Sequence, residues 1–553
     1  MTIAQLADDV LDAMLDVAPV EASLLGVRDR EDRLPDYSEE GEDAADRRFA
    51  ELHAAARAVD PAGLDAADQV TRSVVLQQLE IERDQLAARG VEYTVTDSFF
   101  APAIGMLSEL PMIGITEQAH ADGYLTRLAG LPALFSAIAE RHRAGIAAGR
   151  LPVRRLAEAM VRHFDRYLAD PLRRPDPAPG SGVDVAAFRA ERERLLADVV
   201  YPAVGRYRDA LAADVVPHGR PDDRPGLSWL PGGDDYYARL VRGYTTTRRT
   251  PDELHQTGLD VLAGLTDEYA QAGARAFGTG DLGEIFGRLR TDPSLRWRNG
   301  DELLAAARSA IQRAEQVAPR WFGRLPAQSC VVEAVPAAEA PGAPGAYYMQ
   351  PALDGSRPGT YFANTYEADK RDRYAAEAVA FHEGVPGHHF QLTIAQELTD
   401  LPLLRRLAGT TAYIEGWGLY SERLADEMGL YSDDVARLGM LSEDSLRACR
   451  LVVDTGLHAK GWSRQQAVDF MVANTATSQV EIETEVDRYI SAPGQALAYM
   501  VGRLEIQRIR AAAEATLGAR FDIRAFHDVV LGGGALPLGV LDEVVRAWAD
   551  APV

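Results

Sequence analysis

The chain has 553 residues, of which 47% are hydrophobic, so it can bury a large core and divide into about two to four domains. Its 58 basic and 83 acidic residues give a net charge of −25, without a basic block that could follow a phosphate backbone. Nucleic acid is therefore not an expected partner. Two cysteines, Cys330 and Cys449, can form neither a disulfide framework nor a cysteine-based zinc site.

The N-terminal segment gives no indication of export. MTIAQLADDV has neither the basic start nor the apolar centre of a signal peptide. No stretch of the chain approaches the roughly 18 consecutive apolar residues that a membrane-spanning helix needs. We therefore expect a cytoplasmic protein that has no membrane partner.

Residues 1–215 are predicted to form an N-terminal helical lobe. Apolar residues recur at three- and four-residue steps in four stretches: 1–17, 67–88, 121–148 and 186–214. These stretches are also rich in alanine, leucine, arginine and glutamate, which favour helix. The proline- and glycine-rich segment 170–184 predicts a surface loop.

A second, catalytic lobe is predicted over residues 225–553. The segment 216–233 contains many prolines and glycines, which indicates a crossing between the two lobes. Shortly after it, Thr250 and Glu253 have the spacing of a capping box, in which each side chain binds a backbone N–H of the first turn. A helix is therefore expected to begin at Thr250.

Three short stretches rich in valine, tyrosine and threonine predict strands: 329–336, 346–353 and 359–366. One interpretation is a small sheet that closes the core. The other is that an edge strand accepts an extended peptide by backbone pairing. For the second interpretation, we expect GTYFANTY (359–366) to hold the peptide.

The segment FHEGVPGHHF (381–390) begins like the HExxH zinc signature, but Pro386 stands where the second histidine belongs. In a regular helix His388 would point about 120° away from His382. His389 would return to the same face, but about 10.5 Å further along the axis. Neither could share a metal ion with His382 in that geometry.

The helix cannot be regular here, because Pro386 lacks the N–H that would bond the carbonyl of His382. Gly387 adds backbone freedom. Such a break could rotate His388 back towards His382, so we interpret HEGVPGH as an HExxH motif with two inserted residues. The alternative is a kinked helix whose histidines have ordinary hydrogen-bond partners.

A catalytic zinc ion has three protein ligands and one open position. The next helical stretch, TTAYIEGWGLYSERLADEMGLY, places Glu415 among apolar neighbours, where a carboxylate needs a cation. Gly416 and Gly418 would let this helix approach closely. The alternative for Glu415 is an ion pair with a core arginine. Glu422, seven residues later, is expected to orient a ligand or to lie at the surface.

Three segments carry a resemblance: HEGVPGHHFQ, YIEGWGLYSERLADEMGLY and RYISAPGQALAYMVGRLEI. Together they resemble a bacterial family catalogued as domain of unknown function 885, which is similar to the zincin metallopeptidases. The resemblance implies a mainly α, two-lobed helical zincin-like metallopeptidase fold, with a small β-sheet (strands within 329–366) beside the zinc helices at 371–398 and 410–428.

The resemblance also implies roles for individual residues. His382, His388 and Glu415 would bind Zn²⁺, with His389 as the alternative second histidine, and Glu383 would be the catalytic carboxylate. Glu383 is then placed to take a proton from the attacking water and pass it to the leaving amine.

The developing oxyanion needs hydrogen-bond donors, for which Arg488 and Tyr489 are the best candidates, with Tyr499 behind them. Arg488 could instead bind the terminal carboxylate of a peptide. The alternative for the two tyrosines is a core aromatic ring with a polar tip.

Arg450, Asp454 and His458 are spaced at four-residue intervals along one helical stripe. They could orient a zinc ligand, with Asp454 the first candidate. They could equally form an internal ion-pair ladder, which we prefer.

The expected function is a zinc-dependent peptidase, of the di- or oligopeptidase kind, that cleaves short peptides or small amides in an enclosed cleft. One alternative is the hydrolysis of a non-peptide amide in specialised metabolism. Another is a non-catalytic helical scaffold with a structural zinc ion. Glu383 favours an enzyme, because a structural site needs no free carboxylate beside a ligand. No oligomeric state is predicted.

Overall fold

The computed structural model describes residues 2–169, 177, 179–337, 340 and 343–551. About 70% of the protein is helical and 4% lies in strands. The helices, in chain order, are α1 (Ile3–Val17), α2 (Pro19–Leu25), α3 (Glu39–Ala58), α4 (Ala66–Ala87), α5 (Pro102–Glu109), α6 (Gln118–Ala147), α7 (Arg154–Ala169), α8 (Val185–Leu195), α9 (Tyr201–Ala210), α10 (Gly233–Thr245), α11 (Pro251–Phe277), α12 (Leu282–Thr291), α13 (Gly300–Val317), α14 (Ala376–Glu383), α15 (His388–Glu397), α16 (Leu403–Leu407), α17 (Thr411–Glu427), α18 (Asp434–Ala459), α19 (Arg464–Asn474), α20 (Gln479–Ser491), α21 (Ala498–Leu517), α22 (Ile523–Leu531) and α23 (Leu538–Ala549).

The predicted helices are confirmed in all four stretches of the N-terminal half. α1, α4 and α6 cover the first three, and α8 and α9, joined by a π turn at Leu196–Val200, cover the fourth. Leu404 and Ala408, far along the chain, pack with the side chains of α1 in one apolar core. The N-terminal helices therefore share part of their core with the second half, and the division into two lobes stays a prediction.

The capping box at the start of α11 is confirmed. The hydroxyl of Thr250 accepts from the N–H of Glu253, and the Glu253 carboxylate accepts from the N–H of Thr250 at 2.7 Å. The preceding segment 216–233 contains two short 3₁₀ turns before α10 begins, and its Arg220 forms an isolated parallel bridge with Val153. The capping box depends on local chemistry alone, whereas the bridge depends on a distant segment.

The loop prediction for 170–184 is partly wrong. Residues 170–176 and 178 lie outside the described residues. The remainder includes strand β2 (Pro179–Gly182), which pairs in parallel with β1 (Ile115–Glu117). Backbone pairing with a distant strand overrides the local preference of glycine and proline for turns.

The three predicted strands are present as β3 (Val331–Ala334), β4 (Ala346–Met349) and β5 (Thr360–Ala363). β5 lies in the centre of the sheet, parallel to β3 and antiparallel to β4. The expectation that 359–366 pairs with a peptide is therefore wrong, because both edges of β5 are already hydrogen-bonded. Among the described residues, β3 and β4 are the edge strands of this three-stranded sheet.

The predicted zinc helix at 371–398 is two helices. α14 begins at Ala376 and ends at Glu383, and α15 begins at His388. The second predicted helix, 410–428, is confirmed as α17. Within the described ranges, none of the helices is both long and apolar enough to cross a membrane.

Candidate metal centre

His382, His388 and Glu415 converge on one point of the structure. Their ligand atoms all lie within 4.8 Å of one another. The Nε2 atoms of both histidines are 3.5 Å from the same carboxylate oxygen of Glu415. Both rings are more than 90% buried, and the Glu415 side chain is 20% exposed. The structure therefore brings together the three residues predicted to bind zinc.

The convergence depends on the break between α14 and α15. A Cβ atom on Gly387 would lie 1.8 Å from the carbonyl oxygen of His382, so only glycine lets the chain pass this close. The N–H of His389 bonds the carbonyl of Gly384 at 3.2 Å, which holds the start of the new helix against the end of the old one. As a result the rings of His382 and His388 stand 4.7 Å apart and almost perpendicular.

Two glycines of α17 carry Glu415 into the centre. A Cβ on Gly418 would lie 2.7 Å from Nε2 of His382. A Cβ on Gly416 would lie 2.5 Å from the Cα of Gly502 on α21. α17 therefore lies in contact with the histidine ring on one side and with α21 on another, as its two glycines predicted.

Glu422 orients His382 from behind. Nδ1 of His382 donates to the Glu422 carboxylate at 2.8 Å, and Glu422 is fully buried. This bond keeps a proton on Nδ1 and turns Nε2 towards Glu415 and His388. Tyr431 donates to the backbone carbonyl of Glu422 at 3.0 Å. Of the two alternatives for Glu422, a surface position is wrong, and the bond to His382 orients this histidine.

His389 lies outside the centre because both of its ring nitrogens are occupied. Nε2 donates to the carbonyl of Gln328 at 2.8 Å, and Nδ1 accepts from the hydroxyl of Tyr348 at 3.0 Å. Burial lowers the pKa of His389 to about 4, so the ring is neutral. His388 is thus the histidine that the structure brings to His382.

The charges of the centre favour the presence of a cation. Burial disfavours a charged ring, yet hydrogen bonds to Glu415 and Glu422 raise the pKa of His382 to about 10. Burial would likewise raise the pKa of Glu415, but the two histidines hold it well below its usual range. Buried carboxylates need a nearby positive charge, which a proton or a metal ion can supply.

Glu383 faces the sheet next to the centre. It is half-buried, and its carboxylate makes no hydrogen bond or ion pair within the described part of the chain. Burial first, and then the negative charge of Glu383, raise the pKa of Tyr361 on β5. Glu383 is thus a carboxylate held near the centre without being committed to a structural bond.

The two predicted tyrosines lie in the opposite order to the expected one: Tyr499, not Tyr489, is next to His382. Tyr489 is fully buried, donates its hydroxyl to Glu485 at 2.5 Å and accepts from Nε of Arg450 at 3.0 Å. Tyr499 instead stacks beside His382, with ring centroids 6.5 Å apart. The contacts of Tyr489 are those of a core aromatic ring with a satisfied hydroxyl, so the expectation that it lies in front of Tyr499 is wrong.

Arg488 lies on the same side as Tyr499. Its Nη2 donates to the Tyr499 hydroxyl at 3.2 Å and to the amide oxygen of Gln495 at 2.7 Å. Arg447, which the sequence analysis did not single out, is also close to the Tyr499 ring, at 5.9 Å. The sequence could have indicated Arg447, because it lies three residues before Arg450 on α18 and residues at this spacing share a helix face.

The stripe of Arg450, Asp454 and His458 forms neither an ion-pair ladder nor a support for a metal ligand. Asp454 accepts from the hydroxyl of Tyr237 at 2.6 Å and from the N–H of Gly494. Nε2 of His458 donates to a backbone carbonyl at 3.0 Å. Arg450 and His458 both contact Tyr489, whereas Asp454 contacts other elements. No hydrogen bond or ion pair joins these three described residues to one another, so both predictions for this stripe are wrong.

A groove of about 880 Å³ lies elsewhere, between α3, α4 and α10. Its lining includes Arg83, Arg89, Arg239 and Arg242, which pair with acidic neighbours. No residue of the metal centre lines this groove. The groove and the converging ligand atoms are therefore separate features of the structure.

Two solved structures resemble this chain along its whole length. A protein from Colwellia psychrerythraea, provisionally described as a lipoprotein, has a TM-score of 0.91 and 27% identity, with 100% of both chains covered. A protein from Shewanella oneidensis, provisionally described as a lipoprotein of unknown function, has a TM-score of 0.74 and 18% identity, with 99% of this chain and 100% of that chain covered. No curated protein sequence matches. Residues 19–545 match the family described as "Bacterial protein of unknown function (DUF885)", and the chain belongs to that family.

Proposed function

We propose that the protein is a zinc-dependent hydrolase that cleaves amide bonds of short peptides. The observation that carries the proposal is the convergence of His382, His388 and Glu415 within 4.8 Å, with Glu383 beside them. The mainly helical fold would then be a two-lobed, zincin-like one. A structural zinc site in a scaffold would not need the uncommitted carboxylate of Glu383.

The donor set fits zinc. Two imidazole nitrogens and one carboxylate oxygen are the ligands of many catalytic zinc sites, which keep a further position open. Thiolates are absent from this set, and softer metals prefer them. The bond from His382 to Glu422 is the kind of support that ligating histidines usually have.

The bound ion would act as a Lewis acid and lower the pKa of water. Glu383 would accept the proton of the attacking water and pass it to the leaving nitrogen. Tyr499 would donate a hydrogen bond to the developing oxyanion, in place of Tyr489. Arg488 has two alternative roles, as a second donor to the oxyanion or as the partner of a peptide's terminal carboxylate. Glu422 would keep His382 in its orientation throughout.

An extended peptide would pair with β4 rather than with β5. β4 is an edge strand, and the hydroxyl of its Tyr348 contacts His389, next to the centre. Unpaired N–H and C=O groups at such an edge bind a peptide backbone regardless of its side chains. An enclosed cleft beside this edge would exclude folded proteins, so short or unfolded peptides are the expected substrates.

The cytoplasmic location stays a prediction. The relatives provisionally described as lipoproteins make it worth testing directly. Fractionation of cells that produce the full chain would place it in the soluble or the membrane fraction, and a membrane-bound chain would contradict the prediction.

The function is tested by metal analysis combined with a peptide screen. Purified protein should hold about one zinc ion per chain, and it should cleave a set of dipeptides, tripeptides and longer peptides. Removal of the metal with a chelator should abolish cleavage, and added zinc should restore it. Cleavage that survives complete removal of the metal would contradict the proposal.

A further inference from the structure

Three arginines surround the ring of Tyr499, next to the candidate metal centre. The guanidinium carbons of Arg447, Arg450 and Arg488 lie 5.9, 4.6 and 5.9 Å from its centroid. The same ring also stacks beside His382, with the two centroids 6.5 Å apart. We name Arg447, Arg450 and Arg488 the arginine cluster.

The arginine cluster is only partly neutralised. Glu485 pairs with Arg450 at 2.8 Å and with Arg488 at 3.4 Å, and Glu443 pairs with Arg447. Three guanidiniums are thus directly paired with two carboxylates, and the Glu422 carboxylate acts on Arg447 without a direct ion pair. Burial opposes ionisation of Glu485, but the neighbouring arginines lower its pKa, so it remains charged.

Some buried N–H donors of the arginine cluster also lack acceptors among the described residues. Arg450 is 4% exposed, and its Nη1 has no hydrogen-bond partner among the described residues; Nε of Arg447 is likewise without one. Buried donors without acceptors are costly. A bound anion would offset this cost by its charge.

Arg488 is the member that a ligand can reach. Its side chain is 24% exposed, whereas Arg447 and Arg450 lie behind it. The ring of Phe100, from the N-terminal half of the chain, stands 6.0 Å from the Arg488 guanidinium. A ligand at Arg488 would therefore lie between the two halves of the chain, with an apolar surface on one side.

We propose that the arginine cluster binds the free carboxylate of the substrate, with Arg488 in direct contact and Arg447 and Arg450 supplying charge behind it. The proposal rests on the proposed hydrolase function. A guanidinium fork matches a carboxylate in charge and shape. The Tyr499 centroid lies 5.9 Å from the Arg488 guanidinium carbon and 6.5 Å from the His382 centroid, so Arg488 and His382 are no more than about 12 Å apart. Extended residues span roughly 3.3–3.6 Å each, so the enzyme would remove a few residues at most from the carboxyl end of a peptide.

Turnover provides the first test. N-acetylated dipeptides and tripeptides of alanine and phenylalanine are compared as free acids and as C-terminal amides, using zinc-loaded protein. The free acids should be cleaved with at least about tenfold higher kcat/KM, mainly through a lower KM. Equal cleavage of the two forms, or a loss of kcat alone for both forms in Arg488→Gln, would overturn the carboxylate role.

Binding provides a test that does not require catalysis. The same peptides are titrated calorimetrically into the full-length protein with zinc and again after removal of the metal. Free acids should bind at least about tenfold more tightly than amides in both states. The preference should shrink in Arg488→Lys, which keeps the charge but not the fork, and vanish in Arg488→Gln.

Arg437→Gln is the matched control, because it removes a paired guanidinium from α18 at a distance from the cluster. It should keep the preference, and melting temperatures should show that every variant is folded. A preference for free acids without cleavage would support the arginine cluster and refute the hydrolase. Cleavage without such a preference would support the hydrolase and refute the role of the arginine cluster. Absence of free-acid binding would also refute the role of the arginine cluster.

Discussion

Two regions of this protein carry titratable side chains whose spacing suggested a common site. Only in one of them do the side chains converge. Around the α14–α15 break, His382, His388 and Glu415 meet at one point. On α18, Arg450, Asp454 and His458 share one stripe, but they bond to residues of other elements and not to one another. Spacing on one helix therefore indicates a common face, whereas a common ligand requires a second element or a broken backbone.

The largest effect should come from replacing the two adjacent histidines one at a time. His388→Gln should lose zinc and all metal-dependent activity, because it removes a donor from the centre. His389→Gln should keep one zinc ion per chain, since its ring nitrogens contact Tyr348 and Gln328 instead. Metal content of the two purified variants checks this comparison. Zinc lost from His389→Gln alone would reverse the assignment.

Glu383→Gln should leave the metal bound and lower kcat by about 10²–10⁴-fold, the range expected for loss of a general base. The glutamine keeps the size of the side chain but cannot accept the proton. Turnover and zinc content are measured on the same preparation. Activity equal to that of the wild type would refute the role of Glu383 as the general base.

Glu422→Gln should weaken zinc binding by about 10–100-fold without abolishing it, because the amide holds His382 less firmly than the carboxylate does. Competition with a chelator of known affinity measures the change. The matched control is Glu427→Gln, on the same helix but paired with Arg510 at the surface. An unchanged zinc affinity in Glu422→Gln would show that the hydrogen bond to His382 does not support the ligand.

The smallest effect on the centre should come from Asp454→Asn. This change should leave zinc affinity unaltered and lower the free energy of unfolding by about 1–3 kcal/mol, since one buried acceptor is replaced by a donor. Denaturant unfolding and metal titration measure the two quantities independently. A loss of zinc with no loss of stability would mean that α18 takes part in the centre after all.

Much of the local structure could be predicted because it depends on neighbouring residues. The helix at Thr250 begins where its capping box predicts, and the chain breaks where Pro386 removes a helical N–H. The central position of β5 could not be predicted, because strand order depends on pairings between distant segments. The reversed order of Tyr489 and Tyr499 has the same origin: both lie in one aromatic, polar stretch, and only packing decides which of them reaches His382.

The sequence by itself determined which residues are chemically suited to the centre. His382, Glu383 and Glu415 could be named from residue type, neighbours and a resemblance, because catalytic chemistry restricts the side chains that can serve. The tertiary structure alone decided between His388 and His389 and assigned Glu422 to His382. It also brought the arginine cluster, from α18 and α20, around Tyr499 on α21. The physical reason is that a ligand sphere extends over a few ångströms of space, whereas sequence spacing describes only neighbours on the same helix or strand.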